Sequence, residues 1–199
     1  MKKLRVGDLH GKRTLILGEA GTGKTRFTTR LFRAFARKYR GESAVLIDMA
    51  PPVMRTRGRK IGGHLDLRRL PENVYLLRPS AIAAPRIQGR TPAEVRALAE
   101  ANRAAIEPLL ERWLQHSVPV LMLNDLTIYL QAGSVERIVE AIRRAKTFIG
   151  NAYYGELLRD DHGSGLSARE RVAVEFLLQS MDYIIRLPLD EDMVDLSVG

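Results

Sequence analysis

The sequence contains no cysteine and no long apolar run. With no Cys among its 199 residues, disulfides and thiolate metal sites are excluded, as is typical of proteins from a reducing compartment. No apolar stretch approaches the roughly 20 residues that span a bilayer. The N-terminal segment 1–8 is basic but has no apolar core, so it does not match a secretory signal. These absences predict a cytoplasmic protein without a membrane partner. The length of the chain predicts one domain over residues 1–199.

Acidic residues are scarce in the first part of the chain. The formal net charge is +9, and residues 1–117 carry 24 Lys+Arg against 10 Asp+Glu, whereas residues 118–199 carry 8 against 13. The basic loop 53–72 holds a dense group of cations, Arg55, Arg57, Arg59 and Lys60. Such a segment fits a loop that binds a polyanion such as nucleic acid through residues 55–69, a loop that closes over a nucleotide, or a solvated basic excursion. An arginine-rich chain without cysteine is also expected from genome composition or from heat adaptation, so the charge alone does not identify a partner.

One glycine-rich stretch organises the chain. Gly18–Thr25 reads G-E-A-G-T-G-K-T and matches the phosphate-binding loop pattern G-x-x-x-x-G-K-[ST]. The apolar run Thr14–Leu17 precedes it and is typical of a buried strand. Apolar residues at helical spacing follow it, from Lys24 to about Tyr39. A strand, a glycine-rich turn and a helix in this order predict a working phosphate site.

The chemistry of this loop follows from its backbone. Gly18, Gly21 and Gly23 allow the chain to curl so that successive N–H groups face an anion, and the helix that follows presents its positive end to the same place. We expect Lys24 to contact the β- and γ-phosphates and the Thr25 hydroxyl to bind Mg²⁺. The predicted nucleotide-binding residues are Gly18, Glu19, Ala20, Gly21, Thr22, Gly23, Lys24, Thr25 and Arg26.

Apolar runs alternate with helical patterns along the rest of the chain. The predicted strands are 14–17, 44–48, 73–77, 118–123, 147–151 and 183–187. The first two predicted helices cover 24–39 and 91–116, and Pro108 is expected to kink or restart the second. Two more begin at Ser134 and at Ser167, where Glu170 completes a capping box. Residues 2–13 are predicted as a short β-ribbon or lead-in, 80–90 as irregular and 188–199 as an acidic tail. This alternation predicts an α/β fold, a three-layer α/β/α sandwich with a mostly parallel central sheet.

A second motif is an apolar strand that ends in an acid. Val118–Leu123 is followed by Asn124 and Asp125. A phosphate-loop enzyme needs a carboxylate near its Mg²⁺, and a strand beside the loop delivers one. Asp125 is therefore the predicted second metal ligand together with Thr25, and Asp48 is the next candidate.

These motifs resemble the RecA/KaiC-like branch of the P-loop NTPases. The resemblance rests on Gly18–Thr25 as the Walker A motif, on Asp125 as the Walker B aspartate and on Asn151 near the end of the following strand. It implies a RecA-like domain that binds ATP with Mg²⁺, with Lys24, Asp125, Asp48 and Asn151 as the catalytic residues. In that branch a polar residue at the position of Asn151 senses the γ-phosphate. The resemblance also implies assembly into a homo-oligomer as a hypothesis.

The chain departs from that branch at the catalytic glutamate. The branch carries a glutamate just after its second strand or after the Walker B aspartate. Here Asp48 is followed by Met49-Ala50-Pro51 and Asp125 by Leu126-Thr127. Because fast hydrolysis requires an oriented water, the sequence leaves three alternatives: Asp48 takes the role, a partner supplies it, or hydrolysis is slow.

A few further residues have a chemical and a structural interpretation. Arg86 and Arg90 flank a loop and fit either an arginine finger or two surface cations. The run 160–162, Asp-Asp-His, is interpreted as a solvated turn rather than a metal site, since neighbouring residues rarely converge on one ion. Trp113 is predicted to lie in the core. Tyr153 and Tyr154 fit base stacking or packing equally.

Three functional hypotheses follow from the sequence. The first is an ATP-binding protein with Mg²⁺-dependent ATPase activity. The second is a small-molecule or nucleoside kinase, in which the loop at 80–90 is a lid and Asp48 holds the acceptor. The third is a nucleotide-gated module that binds nucleic acid or protein through the basic loop and hydrolyses ATP slowly. The guanine-specific pattern Asn/Thr-Lys-x-Asp is absent, which favours ATP over GTP.

Overall fold

The computed structural model describes residues 3–56, 59–65, 70–188 and 194–196. Its strands are Leu4–Arg5 (β1), Arg13–Gly18 (β2), Ala44–Asp48 (β3), Met54–Thr56 (β4), Arg59–Ile61 (β5), Val74–Leu77 (β6), Val120–Asn124 (β7), Thr147–Tyr153 (β8), Tyr183–Leu187 (β9) and Val194–Asp195 (β10). Its α-helices are Lys24–Lys38 (α1), Pro85–Gln88 (α2), Pro92–Gln115 (α3), Thr127–Leu130 (α4), Val135–Arg144 (α5) and Leu166–Leu178 (α6), and Val6–Leu9 forms a 3₁₀ turn.

Six strands form one parallel sheet in the order β6-β3-β7-β8-β2-β9. The four inner strands are buried along almost their whole length, which explains why they are apolar at nearly every position. Because all six strands run the same way, their carboxyl ends meet at one edge, where loops carry ligands in open α/β sheets. The predicted α/β fold is confirmed.

Helices cover both faces of the sheet, as the alternation of apolar side chains requires. Leu15 and Leu17 of β2 pack with Trp113 and the other apolar residues of α3, α5 and α6. Ile16, between them, packs on the opposite face with the apolar residues of α1. Trp113 is 1% exposed, so its predicted place in the core is confirmed.

Local rules failed at several elements. The segment before β2 is the strand β1 and a 3₁₀ turn, and β1 pairs with β10 rather than forming a ribbon with its neighbours. Helix α3 is continuous through Pro108, so it does not restart there, and its apolar residues lie in the core on either side of the proline. The region 80–90 contains the helix α2.

The start of α6 also differs from the prediction. Its N-cap is Gly165 rather than Ser167. The Ser167 N–H donates to Asp161 Oδ2 at 2.9 Å, so the acidic turn at 160–162 caps this helix. Glu170 is 2% exposed and makes contacts away from the cap. The capping-box interpretation was therefore wrong, since long-range partners recruit Glu170.

The basic loop 53–72 is partly ordered as an antiparallel hairpin of β4 and β5. Arg57 and residues 66–69 lie outside the described residues, as does most of the acidic tail. Over the described ranges, none of the helices combines the length and the apolar composition needed to cross a membrane.

Candidate phosphate-binding site

The glycine-rich loop joins β2 to α1 at the carboxyl edge of the sheet. Gly21 and Gly23 have φ angles of +81° and +80°, in the left-handed region that side chains disfavour. The Lys24 ammonium folds back over the loop, with Nζ 3.2 Å from the Gly18 carbonyl oxygen. Thr22 Oγ1 donates to the Glu19 carbonyl at 2.8 Å. The loop therefore has a closed shape with its lysine lying across it.

Lys24 lies in a partly desolvated place. Burial lowers the pKa of its ammonium, and the carboxylates of Asp125, Glu19 and Glu170 act in the opposite direction. The Lys24 Nζ also lies 5.9 Å from the centre of the Tyr153 ring. A cation with little water around it interacts strongly with an incoming phosphate.

Glu19 anchors the loop to the segment after β8. Its Oε2 accepts from the N–H groups of Glu156 at 2.6 Å and Leu157 at 2.9 Å, and its Oε1 accepts from Ala20 N–H at 2.7 Å. Burial raises the pKa of the Glu19 carboxyl, but these N–H donors outweigh it and hold the pKa below its ordinary value. Gly155 makes room for this contact, because a Cβ there would lie 2.2 Å from Glu19 Oε2.

A buried chain of amides ties three strand ends to α1. Asn124 Nδ2 donates to Asp48 Oδ1 at 2.6 Å, and Asn151 Nδ2 donates to Asn124 Oδ1 at 2.6 Å and to Thr28 Oγ1 at 3.0 Å. Asn151 Oδ1 accepts from Asp125 N–H at 2.9 Å. Asp125 has a φ of +56°, which is unusual for a residue with a side chain. Asn151 therefore holds the Asp125 backbone in place, a task that the sequence does not reveal.

The strand that carries Asp125 is not the direct neighbour of the loop strand. Strand β8 lies between β7 and β2, which corrects the expectation of adjacent strands. Asp125 still reaches the site, since it follows the end of β7 and lines the same cavity as Lys24 and Thr25. The inserted strand supplies Asn151 from between the two motifs.

Burial raises the pKa of the Asp125 carboxyl. Lys24, the Thr127 hydroxyl and Arg86 lower it, and Asp48 raises it further. Thr127 Oγ1 donates to Asp125 Oδ1 at 3.0 Å, which fixes the rotamer of the carboxylate. A carboxylate in this setting gains from a nearby cation.

The carboxylate of Asp48 is buried among polar partners from the protein. It is fully buried, and Oδ2 pairs with Arg78 Nη2 at 2.7 Å and lies 3.4 Å from His64 Nδ1. With Asn124 on Oδ1, both carboxylate oxygens are engaged. This placement favours a role in positioning the strand ends over one in orienting water or an acceptor.

A cavity of about 600 Å³ opens beside the loop. It runs from Lys24 and Asp125 to the β4–β5 hairpin. The remaining lining includes Arg26, Thr29, Arg30, His64, Arg86, Gln131, Asn151 and Tyr153. Of the two candidate finger residues, Arg86 lines it, whereas Arg90 is exposed, with its backbone N–H on Glu94 Oε2. The lining therefore includes several cations, Lys24, Arg26, Arg30, Arg33 and Arg86, and one carboxylate, Asp125.

The sequence interpretation missed Gln131, and it did not foresee that Arg86, a candidate arginine finger, is buried against Glu170. Arg86 Nη2 lies 3.0 and 3.2 Å from the two oxygens of Glu170, and Gln131 Nε2 donates to Glu170 Oε2 at 2.8 Å. These residues are 39 and 84 positions from Glu170, so spacing gives no signal. Only the presence of a carboxylate within the apolar pattern of α6 marked Glu170 as unusual.

The comparisons with known proteins bear on the fold. No protein-family model matches the chain, and no curated protein matches it by sequence. The flagellar accessory protein FlaH from Methanocaldococcus jannaschii matches with a TM-score of 0.52 at 14% identity, over 92% of this chain and 74% of FlaH. The DnaC helicase loader matches with a TM-score of 0.38 at 16% identity, over 89% and 80% of the two chains. The chain has the P-loop NTPase fold, and at this identity the likeness to FlaH extends to the fold alone.

Proposed function

We propose that this protein binds ATP with Mg²⁺ and hydrolyses it. The observation that carries the proposal is the convergence of Lys24, Thr25 and Asp125 on one cavity at the carboxyl edge of a parallel sheet. The curled loop and the start of α1 supply N–H donors for phosphate oxygens. Lys24 adds a point charge where the β- and γ-phosphates would lie.

The oxygen donors fit magnesium. The Thr25 hydroxyl and the Asp125 carboxylate are hard ligands, which Mg²⁺ prefers together with water and phosphate oxygens. When bound, the ion neutralises charge on the phosphates. Across the described ranges no cluster of three or more His, Asp or Glu could hold a metal by itself. The remaining ligands are therefore assigned to the nucleotide and to water.

The RecA/KaiC-like branch and the preference for ATP remain proposals from the sequence. The Walker assignments are supported by where the loop and Asp125 lie, and the sensor role of Asn151 by its place on the cavity wall. The absent guanine pattern supports adenine. The amide contacts of Asn151 give it a second role, in which it couples Asp125 to α1 through Thr28.

The test is the release of phosphate from Mg·ATP by three proteins: wild type, Lys24→Ala and Lys38→Ala. Lys38 is an exposed lysine on the same helix and is a matched control. We expect Lys24→Ala to lose turnover with an unchanged far-ultraviolet circular dichroism spectrum, and Lys38→Ala to keep it. Turnover by Lys24→Ala at the wild-type rate would refute the assignment.

A small-molecule kinase is the second candidate, and the extra cations of the cavity favour it. Arg26 and Arg30 line the same cavity as Lys24, where they could hold an anionic acceptor. A kinase would transfer the labelled γ-phosphate to a metabolite and release little of it to water. Supplying a metabolite mixture with γ-labelled ATP separates the two functions, since the label moves either to an organic product or to free phosphate.

A further inference from the structure

We propose that Gln131 and Arg86 complete the hydrolytic site, with Gln131 holding the attacking water, Arg86 stabilising charge on the γ-phosphate, and Glu170 positioning both. This inference rests on the proposed ATPase function. It assigns within the same chain the role for which the sequence offers no glutamate after Asp48 or Asp125.

Gln131 has a buried acceptor that lacks a donor. The residue is 2% exposed and lines the cavity that holds Lys24 and Asp125. Its Nε2 donates to Glu170 Oε2, which fixes the orientation of the amide. Oε1 is then the polar atom of the side chain that is left for a further partner. Among the described residues, Oε1 has no hydrogen-bond partner although it is buried. A buried amide oxygen without a donor is unfavourable, so we assign to it a water at the wall of the cavity that Gln131 lines.

The local chain explains why Gln131 is at this place. Asp125 ends β7 with a left-handed backbone, and the short helix α4 begins two residues later. The Gln131 N–H donates to the Thr127 carbonyl at 3.1 Å, and Thr127 holds Asp125 through its hydroxyl. One helical turn therefore connects the proposed metal ligand to the proposed water ligand.

Arg86 is a buried cation on the same cavity wall. Its side chain is 7% exposed, and its guanidinium lies 5.3 Å from the centre of the Tyr153 ring, whose surroundings also include Lys24. Its Nη2 donates to Glu170 and its Nη1 donates to Ser167. A guanidinium has five N–H donors, so these contacts leave donors for a phosphate. Desolvated arginines stabilise the charge of a phosphoryl group in transfer.

Glu170 lies behind the two residues that face the cavity. Its carboxylate accepts hydrogen bonds from both Gln131 and Arg86, and Glu170 is 2% exposed. A carboxylate that accepts from both side chains fixes their spacing relative to each other. Glu170 is therefore a positioning residue, and Gln131 and Arg86 are the groups that contact water and nucleotide.

In the proposed mechanism, hydrolysis of ATP needs no general base from the protein. The water oxygen, its O–H donated to Gln131 Oε1, attacks the γ-phosphorus. The bond from that phosphorus to the β–γ bridging oxygen breaks, and its electron pair stays on ADP. The proton of the water leaves with inorganic phosphate or passes to solvent. Gln131 accepts a hydrogen bond throughout and takes up no proton, while Arg86 neutralises charge on the phosphoryl oxygens.

The experiment separates binding from turnover in five variants, one of which, Arg86→Lys, tests rescue of the arginine. Gln131→Leu, Arg86→Ala and Glu170→Gln are compared with the wild type, and Gln115→Leu is the control, since Gln115 is exposed at the end of α3. Calorimetry gives the Kd for Mg·ATP, and rapid quench gives the rate of a single turnover. Melting temperatures show whether each variant is folded.

We expect Gln131→Leu to slow the single turnover about 100-fold and Arg86→Ala about 1,000-fold. Glu170→Gln should slow it at least about tenfold. The Kd should stay within about threefold for Gln131→Leu and Glu170→Gln, and Arg86→Lys should restore part of the rate lost in Arg86→Ala.

A folded Gln131→Leu that binds Mg·ATP and hydrolyses it at the wild-type rate would overturn the inference and leave the ATPase in place. A wild-type protein that binds Mg·ATP without releasing phosphate would overturn both. Loss of turnover through loss of binding alone would also count against the inference, since the proposed role is in the chemical step.

Discussion

At the scale of single residues, the site is built from one local motif and several distant partners. Lys24 and Thr25 could be predicted as phosphate and Mg²⁺ contacts from the sequence, because the loop pattern, the strand before it and the helix after it are contiguous. Gln131 and Glu170 could not, and Arg86 was only one of two candidate arginine fingers, because the three side chains come together only when α4, α2 and α6 meet. Asp48 was chosen for its position at a strand end, but the structure surrounds it with Arg78, His64 and Asn124, contacts that no spacing rule gives.

The pKa of Asp125 leads to a prediction about pH. Burial raises it, and a metal ligand must be ionised. The carboxylate is therefore available above the raised pKa and is lost as the pH falls through it. We expect Mg·ATP affinity to decline on acidification at a higher pH than for an ordinary aspartate. Lys24, Arg86 and Asp48 are the charged groups that act on this carboxyl.

Calorimetric titrations between pH 4 and pH 8 measure this effect. Asp125→Asn should bind Mg·ATP weakly and with little dependence on pH. Asp160→Asn, in an exposed loop, is the control and should follow the wild type. A wild-type affinity that stays flat across this range would contradict the placement of Asp125 on the metal.

At the scale of the elements, local rules worked where they met no tertiary competitor. Thr91 caps α3 as the sequence predicts, with its hydroxyl oxygen accepting from Glu94 N–H at 3.2 Å. Pro108 shows the opposite case, since packing of Ile106, Leu110 and Trp113 in the core keeps α3 continuous through it. The cap predicted at Ser167 failed because Glu170 makes a buried contact with Arg86 instead.

Replacing Pro108 should therefore stabilise the protein. The residue is exposed inside a continuous helix, where proline removes a backbone hydrogen bond. From helix propensity, less the loss of proline's restraint on the unfolded chain, Pro108→Ala should gain about 2 kcal/mol. Thermal unfolding should then show a midpoint higher by about 4–8 °C.

Pro92→Ala is the matched control, because Pro92 occupies the first turn of the same helix, where proline is tolerated. It should leave the midpoint unchanged or lower it slightly. If both substitutions shifted the midpoint equally, the cost of Pro108 inside the helix would not be the cause.

At the scale of the whole molecule, the fold class follows from the alternation of apolar strands and helices, but the strand order does not. The sequence places Asp125 beside the loop strand, and the structure inserts β8 between them. The strand order depends on how the strands and the covering helices pack together in three dimensions, which is a property of the assembled sheet and not of any one segment. The charge asymmetry, by contrast, is a property of composition and could be predicted without a structure.

The proposed contact with nucleic acid is a prediction at this scale. Changing Arg55, Arg57, Arg59 and Lys60 to Gln should remove affinity for single-stranded DNA. The wild-type affinity should fall steeply with salt, and the change should reduce the slope by about 2–3, at roughly 0.7 per phosphate contact. Fluorescence anisotropy at several salt concentrations measures both quantities.

A second fourfold variant tests whether net charge alone matters. Arg112, Arg143, Lys146 and Arg159 are exposed and lie outside the basic loop. Changing them to Gln lowers the charge by the same amount and should leave DNA affinity nearly unchanged. Equal losses in both variants would assign the binding to overall charge, and undiminished binding by the basic-loop variant would remove that loop as the contact surface.

The central claim is that the loop Gly18–Thr25 binds the phosphates of Mg·ATP through Lys24. Isothermal titration of Mg·ATP into wild type, Lys24→Ala and Lys38→Ala tests it most directly. We predict one site in the wild type, a loss of at least about tenfold in affinity for Lys24→Ala, since a charge-assisted contact is removed, and no change for Lys38→Ala. Equal affinity in all three proteins would contradict the account.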